Sequence, residues 1–534
     1  MEHQNINQPI ENEALSEMME DEKQQLAAVR FIISEEEHEA RAEAAIVKDQ
    51  MRAEIEDVTQ PLPEPEKFPV FELNDMGMAH LFAKTYFGKA IWNRDTEKWH
   101  LWNGKQWLES GAKTYVRQLV EHMLKTYPAK VQYQLDKTEF AQLEKFVKIR
   151  CEGPYVSRIV FEARGMTGII QPDAKFDQPD HLLNCENGII DFRAGKLLKH
   201  DSHEMLSQIA PCRYVADADI KDDILQKYLW EASCHQKEWI DFLQLAAGYS
   251  LTGSVQEEVF FFLSGDTATG KSTLHEAMLR ASGNYGMQAR FETFLESVRG
   301  DSSRQRDVTR MVGKRMVVAE ETDKKTKLAT GMVKYITGNS RITARRLYEE
   351  GFDFDPHFTL WLASNYKPEV DHTDNAIWRR MIHIPFDHKL TKSQMDPVVK
   401  HHLVRTEAGR EAVFAWMVRG AMRWYQMRRE TPGRMVLQLA IPEVISGSTQ
   451  VYREEMNLLS PFLTDSGLLA CTEPIIKESL FRRYEQFAKA EGDDVLTRRN
   501  FNARMRESGF KEKTCLLEIG QTGKKKAYGC WIKT

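Results

Sequence analysis

Eight consecutive residues have the types and the spacing needed to hold a phosphate chain: Gly265-Asp266-Thr267-Ala268-Thr269-Gly270-Lys271-Ser272. They match the pattern G-x-x-x-x-G-K-[ST] in full. The glycines let backbone N–H groups turn toward phosphate oxygens, and a helix beginning near Thr273 adds partial positive charge. We predict that this segment, with Thr273, binds ATP. Lys271 reaches the β- and γ-phosphates, and the Ser272 hydroxyl joins the shell of a Mg²⁺ ion.

An acidic pair follows an apolar run at a suitable distance from the loop. Glu320 and Glu321 come directly after Met316-Val317-Val318-Ala319, which reads as a buried strand. One carboxylate is expected to hold Mg²⁺, directly or through water, and the other to polarise the attacking water. We assign both to catalysis and Glu320 also to the metal.

Two further features complete a hydrolytic site. Asn365 ends a third apolar run, where an amide can sense the γ-phosphate and orient the attacking water. Arg379 and Arg380 follow Trp378 and lie far along the chain from the loop. A guanidinium at that distance suits an arginine finger, which enters a neighbouring subunit's site and neutralises transition-state charge. The alternative is a surface charge pair.

These residues need a scaffold that brings strand ends together. From residue 255 to about 390, apolar strand-like runs at 259–263, 315–319 and 358–363 alternate with helical segments. This alternation predicts an α/β fold, with a parallel-sheet P-loop ATPase core around the phosphate-binding segment. An α+β domain is expected before it and a winged helix after it.

The chain divides into six segments on composition. Residues 11–57 lack glycine and proline and read as an acidic helical arm, either a solvated tail or a contact for other replication proteins. A proline-rich linker follows. Four tryptophans near residue 100 fit a hydrophobic core more often than a base-stacking platform. The boundaries are an arm at 1–57, a linker at 58–71, an N-terminal α+β or collar domain at 72–250, the ATPase core at 251–390, a helical bridge at 391–459 and a winged helix at 460–534.

Composition excludes several classes of protein. The 534 residues are 42% hydrophobic and 28% charged, with no apolar run long enough to span a bilayer and no basic-then-apolar signal at the N-terminus. The seven cysteines form no C-x-x-C pair, which argues against zinc and disulfide frameworks. We therefore expect a cytoplasmic protein, in a bacterial host if phage- or plasmid-encoded. The net charge of −6 conceals an acidic arm and a mildly basic body, which fits a polyanionic partner.

The C-terminal segment predicts a DNA-binding module. A helix at 475–490, a second helix capped by Thr497 and running to Ser508, and a hairpin with a basic turn at 523–526 outline a winged helix. Basic residues on such elements typically contact phosphates. The candidates, with a solvated face as the alternative, are Arg498, Arg499, Arg504, Arg506 and Lys525 with its neighbouring lysines.

Taken together, these motifs resemble a superfamily 3 helicase, a branch of the AAA+ ATPases. The order is the phosphate loop, Glu320-Glu321, the segment 334–339, Asn365 and Trp378-Arg379-Arg380. More closely, the chain resembles the phage and plasmid primase-helicase group that is related to the poxvirus primase-helicase. The segments at 187–197 and 245–253 resemble the part of that group that precedes the ATPase, so the resemblance covers about 75–534.

The resemblance implies a homo-oligomer, a hexameric ring with ATP sites between subunits, that moves 3′ to 5′ on DNA threaded through its pore. It also implies a DNA-contacting hairpin before the third strand, here at 342–358. The turn of that hairpin carries Glu349 and Glu350 instead of the expected lysines. We therefore expect Lys334, Arg345 or Arg346 to contact the DNA. Ion pairs within the fold are the alternative for these three residues.

The expected function is an ATP-dependent replicative DNA helicase. A primase-helicase, an origin-binding replication initiator and a DNA-packaging ATPase remain alternatives. No strand before the shared region ends in the paired aspartates that templated primer synthesis requires, which disfavours the primase.

Overall fold

A computed structural model describes residues 68–534 apart from short gaps. The gaps are 111–112, 172–175, 297–301, 322–325, 339–340, 346–350, 392–395, 458, 469–472, 492–494, 519–524 and 534. The predicted arm at 1–57 and most of the linker therefore lie outside the described residues. The chain forms two compact units, which divide between Tyr214 and Val215, with Gly283–Tyr285 belonging to the first. Across the described part of the chain, no helix has the length and apolar character of a membrane span.

The first unit combines helices with a small sheet. Its helices are α1 (Asp75–Thr85), α2 (Lys113–Val131), α3 (Lys137–Arg150) and α4 (Gly153–Ala163). Its sheet has the order β3-β2-β1-β4, formed by β1 (Ala90–Asn93), β2 (Lys98–Trp102), β3 (Trp107–Ser110) and β4 (Ile170–Gln171). A second sheet joins β5 (Leu182–Cys185), β6 (Gly188–Asp191) and β7 (Lys196–Leu198). The α+β class expected for this region is present.

The tryptophan-rich segment forms a hairpin of β2 and β3. The Asn103 side-chain oxygen accepts hydrogen bonds from the backbone N–H groups of Lys105 and Gln106, which fixes the turn. Trp99 and Trp107 are 2% and 1% exposed, so their rings fill the core and are not available to stack on bases.

The second unit is built on a parallel five-stranded sheet of order β14-β8-β13-β10-β9. The strands are β8 (Phe260–Ser264), β9 (Gly286–Gln288), β10 (Met316–Glu321), β13 (Thr359–Ser364) and β14 (Met381–Pro385). The strands β11 (Ile342–Arg345) and β12 (Gly351–Phe354) form a separate antiparallel hairpin. Every residue of β8 and β13 is buried, as expected for a parallel sheet covered on both faces.

Helices surround this sheet. They are α5 (Ala218–Lys221), α6 (Asp223–Ala232), α7 (Lys237–Tyr249), α8 (Lys271–Ser282), α9 (Ser302–Arg310), α10 (Thr330–Thr337), α11 (Asn375–Trp378), α12 (Pro397–Arg405), α13 (Glu407–Glu430), α14 (Val436–Ala440) and α15 (Glu443–Glu455). The bridge at 391–459 is thus helical where described.

Residues 215–250 pack with the second unit, whereas the sequence analysis grouped them with the N-terminal domain. The reason is the crossing of α7 and α13. A Cβ on Gly248 would lie 2.1 Å from the backbone nitrogen of Ala421, and a Cβ on Gly420 would lie 2.0 Å from the carbonyl oxygen of Gln244. Glycine at both positions lets the two helix backbones touch.

The C-terminal segment comprises α16 (Ser460–Asp465), β15 (Ile475–Ile476), α17 (Lys477–Glu491), α18 (Arg498–Glu507), β16 (Phe510–Glu518) and β17 (Lys525–Lys533). Its sheet order is β15-β17-β16. The Thr497 side chain accepts a hydrogen bond from the Asn500 N–H, as expected of a helix cap. The predicted helix start at Ile475 is wrong, because Ile475 and Ile476 pair with Trp531 and Cys530 as a short strand.

Candidate functional site

The phosphate loop connects β8 to α8, as the sequence predicted. Gly265 and Gly270 have positive φ angles, and Ala268 is also in the left-handed region. A Cβ on Gly265 would lie 2.1 Å from the carbonyl oxygen of Phe386, so β14 and the segment after it pack too closely for any side chain there. The loop therefore needs both glycines for its shape.

Lys271 begins α8, and its ammonium group is held inside the loop. Its Nζ donates to the carbonyl oxygens of Gly265 (2.6 Å) and Asp266 (2.8 Å) and to the hydroxyl of Thr269 (3.1 Å). Burial lowers the pKa of Lys271, while the charges of Asp266 and Glu320 act in the opposite direction. The ammonium group of Lys271 is thus held in position by oxygen atoms of the loop.

Glu320 faces the same loop from the end of β10. Its Oε1 lies 3.2 Å from Nδ1 of His275, and it also accepts a hydrogen bond from the Ser272 hydroxyl. The hydrogen bond from His275 is the main cause that lowers the pKa of Glu320, against burial, with smaller contributions from the His275 charge, Ser272 and Lys400. The structure thus brings Ser272 and Glu320 together. Glu321 is the last residue of β10.

His275 is a further site residue that the sequence motifs did not predict. It is fully buried on α8, one helical turn after Ser272, on the side that faces β10. The i, i+3 spacing from the loop serine was the available signal. The buried carboxylate acceptor on another strand was not visible in the sequence.

Asn365 lies beside the loop at the end of the neighbouring strand. Ser364 of β13 is in register with both Ser264 of β8 and Glu321 of β10, so the three strand ends meet at one edge. A cleft of about 470 Å³ opens there. Its described lining residues are Ser264, Gly265, Asp266, Asn365, Tyr366, Lys367, Phe386, Asp387 and Lys389.

Two residues that the sequence analysis did not select also hold the loop. Lys389 Nζ lies 2.8 Å from Asp266 Oδ2, and this hydrogen bond is the main cause of the lowered pKa of Asp266. The Tyr228 hydroxyl donates to the carbonyl oxygen of Gly270 (2.9 Å). Both come from segments remote in sequence, α6 and the chain after β14.

Arg379 and Arg380 have different environments. Arg380 is 11% exposed at its side chain, and its Nη2 lies 2.9 Å from Glu258 Oε2. It also donates to the carbonyl oxygen of Ala376 (3.1 Å). Arg379 is 65% exposed and reaches the same carboxylate only at 3.4 Å. The Arg380 side chain is therefore held by contacts within the fold, whereas the Arg379 side chain projects toward solvent.

The candidate DNA-contacting residues before β13 are spread over different environments. Lys334 Nζ lies 2.7 Å from Asp374 Oδ2. Asp374 also caps α11, so the ion pair connects Lys334 to the segment that carries the arginine pair. Arg345 is exposed at the end of β11. Arg346 and the turn with Glu349 and Glu350 lie outside the described residues.

At the C-terminus, Arg498 pairs with Glu478 and lies over the Phe481 ring. Arg499, the next residue of α18, is exposed, and no ion pair involves it in the described part of the chain. Lys525 begins β17 opposite Glu518. Of the other basic candidates, Arg506 pairs with Glu512. Arg504 lowers the pKa of His372, second to burial, so its charge acts near the loop before α11.

Over the described residues, no group of three or more His, Cys, Asp or Glu side chains could hold a metal ion. The oxygen atoms that fit a divalent cation are those of Ser272 and Glu320, which already contact each other beside the loop. Mg²⁺ bound to nucleotide phosphates typically needs only one or two such protein ligands. The residues present therefore fit that ion.

The fold and site are consistent with a phosphate-loop α/β core, and two family models match parts of the chain. Residues 79–246 match the family described as D5 N terminal like. Residues 263–380, which contain the loop, the acidic pair and the arginine pair, match a family of unknown function (DUF5906).

Individual relatives come from large DNA viruses. "Putative helicase L207/L206" of Acanthamoeba polyphaga mimivirus is 28% identical over 218 residues, which is 40% of this chain and 23% of that protein. "Putative primase C962R" of African swine fever virus (isolate Warthog/Namibia/Wart80/1980) is 23% identical over 307 residues, 54% of this chain and 31% of that protein. The chain thus spans less than a third of the length of these two relatives. The resemblance to a viral primase-helicase group is confirmed, at low identity.

Among solved structures, the A form apo structure of the NrS-1 C terminal region aligns with a TM-score of 0.45 and 10% identity. The alignment covers 83% of this chain and 96% of that one.

Proposed function

We propose that the chain is an ATP-dependent DNA helicase of the superfamily 3 type, which hydrolyses ATP at the interfaces of a ring, expected to be a hexamer. The observation that carries this proposal is the location of Arg379. Arg380 immediately precedes β14, and Met381 is in register with Phe260, the first residue of β8, whereas the phosphate loop follows Ser264 at the other end.

The length of β8 separates the two features. Five strand residues span roughly 17 Å, which is more than twice the reach of an arginine side chain. Arg379 therefore lies at the amino-terminal edge of the sheet and the loop at the carboxyl edge. An exposed arginine at that edge cannot serve its own loop, but it can serve the loop of a neighbouring subunit.

The strand order supports the AAA+ assignment. The strand β13, which Asn365 follows directly, lies between the phosphate-loop strand β8 and the acidic strand β10. In the proposed site, the attacking water lies in the cleft beside the loop, between the γ-phosphate and the carboxylates. Asn365 borders the cleft at this point.

Each residue then has a chemical role in hydrolysis. Lys271 and the loop N–H groups bind the β- and γ-phosphates, and Ser272 and Glu320 hold Mg²⁺. The ion neutralises charge on the phosphates. Glu321 or Glu320 polarises the attacking water, which Asn365 orients. His275 keeps Glu320 ionised and fixed in direction.

Coupling to DNA is assigned to two elements. The β11–β12 hairpin, with Arg345, is proposed to contact a single strand in the pore. The segment from α16 to β17 is proposed to be a winged helix. Two long helices followed by an antiparallel hairpin support this, with Arg499 exposed on the second of those helices. The acidic arm as a contact for other replication proteins stays a prediction.

A strand-displacement assay tests the proposal. The purified protein should unwind a forked DNA with ATP and Mg²⁺ and lose this activity in Lys271→Ala. A protein that forms rings and hydrolyses ATP but neither unwinds nor translocates on DNA would overturn it.

An origin-binding initiator is the second candidate, and the exposed Arg499 on α18 favours it. Specific binding to one duplex sequence with little unwinding would support that function instead. Primer synthesis on a single-stranded template would indicate the primase-helicase, an activity suggested by the name of the African swine fever virus relative.

A further inference from the structure

A cleft of about 570 Å³ lies between helix α9 (Ser302–Arg310) and strand β11, away from the phosphate loop. Its described lining residues are Gln305, Thr343, Ala344, Arg345 and Gly351, and no carboxylate is among them. The Thr309 hydroxyl lies 3.3 Å from the carbonyl oxygen of Arg345, which joins the helix to the strand along the cleft.

A basic stripe of α9 lies next to the face that borders this cleft. Gln305 and Thr309 lie one turn apart on the cleft side, and Arg306 and Arg310 occupy the adjacent stripe of the helix. Both arginines are exposed. Arg306 makes no ion pair with any described residue, and Arg310 approaches a carboxylate, that of Asp307, only at 3.9 Å.

The acidic residue of α9 does not neutralise this face. Asp307 is 4% exposed and points inward, where it accepts hydrogen bonds from Arg290 Nε (3.0 Å) and Nη2 (2.9 Å). Two described acids of the hairpin region, Asp353 on β12 and Asp355 just after it, contact Thr343 and Arg341 respectively. Neither carboxylate lines the cleft.

We propose that α9 and β11 together bind the sugar-phosphate backbone of single-stranded DNA, with Arg306 and Arg310 as the phosphate-contacting residues. This inference rests on the proposed helicase function. Exposed guanidinium groups match a chain of phosphates in charge, and they lie beside a cleft whose described lining residues include no carboxylate. Arginine can bind a phosphate through two N–H groups. The binding is independent of sequence, because only phosphates are contacted.

The test measures binding of a fluorescein-labelled oligothymidylate by anisotropy over a series of salt concentrations, with the full chain and a non-hydrolysable ATP analogue. Each phosphate contact on a single strand contributes about 0.7 to the slope of log K against log salt, so Arg306→Gln/Arg310→Gln should reduce the slope by about 1.4. Affinity at low salt should fall about tenfold or more. ATP hydrolysis without DNA should not change.

Two companion variants make the result specific. Arg429→Gln/Arg434→Gln removes the same charge from exposed positions at and after the end of α13 and should bind like the wild type. Arg306→Lys/Arg310→Lys keeps the charge and should keep most of the salt slope. Wild-type slope and affinity in Arg306→Gln/Arg310→Gln, or an equal loss in the α13 control, overturns the proposal for α9 alone. Absence of DNA binding by the wild type overturns the helicase function as well.

Discussion

The Nη2 atom of Arg380 lies 2.9 Å from Oε2 of Glu258, and the side chain of Arg380 is only 11% exposed. Glu258 itself has a positive φ of 48°, which is uncommon for a residue with a side chain. The pair ties the start of β8 to the start of β14. It leaves Arg379 as the exposed arginine of the Trp-Arg-Arg motif.

The first prediction separates the two arginines. Arg379→Ala should fold normally and bind ATP, but lose hydrolysis by about 10³-fold or more if it is the finger. Arg380→Ala should instead reduce the free energy of unfolding by about 1–3 kcal/mol, because it leaves Glu258 without its main partner. Thermal unfolding, nucleotide binding and ATP turnover distinguish these results.

Subunit mixing completes this test. Arg379→Ala subunits mixed with Lys271→Ala subunits should recover part of the turnover, since some interfaces then combine an intact loop with an intact finger. No recovery at any ratio would contradict a finger supplied in trans.

The second prediction concerns His275 and Glu320. The folded-state pKa of Glu320 lies below its ordinary value of 4.5, chiefly because of the His275 hydrogen bond. Its ionised form therefore stabilises the fold above pH 4.5, and this contribution is lost as the pH falls through the lowered pKa. In His275→Gln, we expect the acid limb of the ATP turnover profile to move to higher pH.

A weaker affinity for Mg²⁺, by about 10-fold, should accompany this change, because residues that orient metal ligands typically contribute that much. His401→Gln, at an exposed position, is the matched control. An acid limb that stays in place in His275→Gln would show that His275 does not tune this carboxylate.

The sequence predicted the local parts of the site better than its tertiary contacts. The loop, the strands that end near Glu320 and Asn365, and the cap at Thr497 are each encoded within a few residues. By contrast, β14 and β9 were not expected, and His275, Tyr228 and Lys389 were not selected. Each depends on a partner far along the chain, such as Asp266 for Lys389.

The same reason explains the two structural errors. The apolar face of α7 does not specify its partner, whereas contacts such as the close approach of Gly248 to α13 and the Tyr228 hydrogen bond to Gly270 join residues 215–250 to the second unit. Isoleucine at positions 475 and 476 is compatible with an extension of the following helix. Pairing with β17 makes these two residues a strand instead. The difference between Arg379 and Arg380 likewise depends on Glu258, 122 residues before Arg380.

The third prediction concerns the neighbour of Glu258. Glu257 is 4% exposed and accepts hydrogen bonds from Trp424 Nε1 (2.9 Å) and from the backbone N–H groups of Val436 (2.9 Å) and Leu437 (3.1 Å). Glu257→Ala leaves three buried donors without an acceptor and should cost about 2–5 kcal/mol of unfolding free energy. Denaturant unfolding measures this loss.

Glu257→Gln should cost less, because the amide oxygen can still accept from Trp424 and Val436. Burial also raises the pKa of Glu257, so the neutral amide avoids the cost of a buried charge. The exposed Glu443→Ala at the start of α15 should change stability by less than about 0.5 kcal/mol. Equal losses in Glu257→Ala and Glu443→Ala would contradict the assigned role.

The last prediction tests the C-terminal segment as a DNA-binding module. Arg499 is exposed on α18, whereas its neighbour Arg498 is paired with Glu478 and packed on Phe481. Arg499→Gln should weaken duplex binding at all sequences and reduce the salt slope by about 1, as the loss of one phosphate contact predicts. Arg498→Gln should have a smaller effect on binding, because Glu478 already neutralises that guanidinium. Equal losses in the two variants would mean that the ion pair with Glu478 opens on DNA, and no loss in either would remove α18 from the DNA interface.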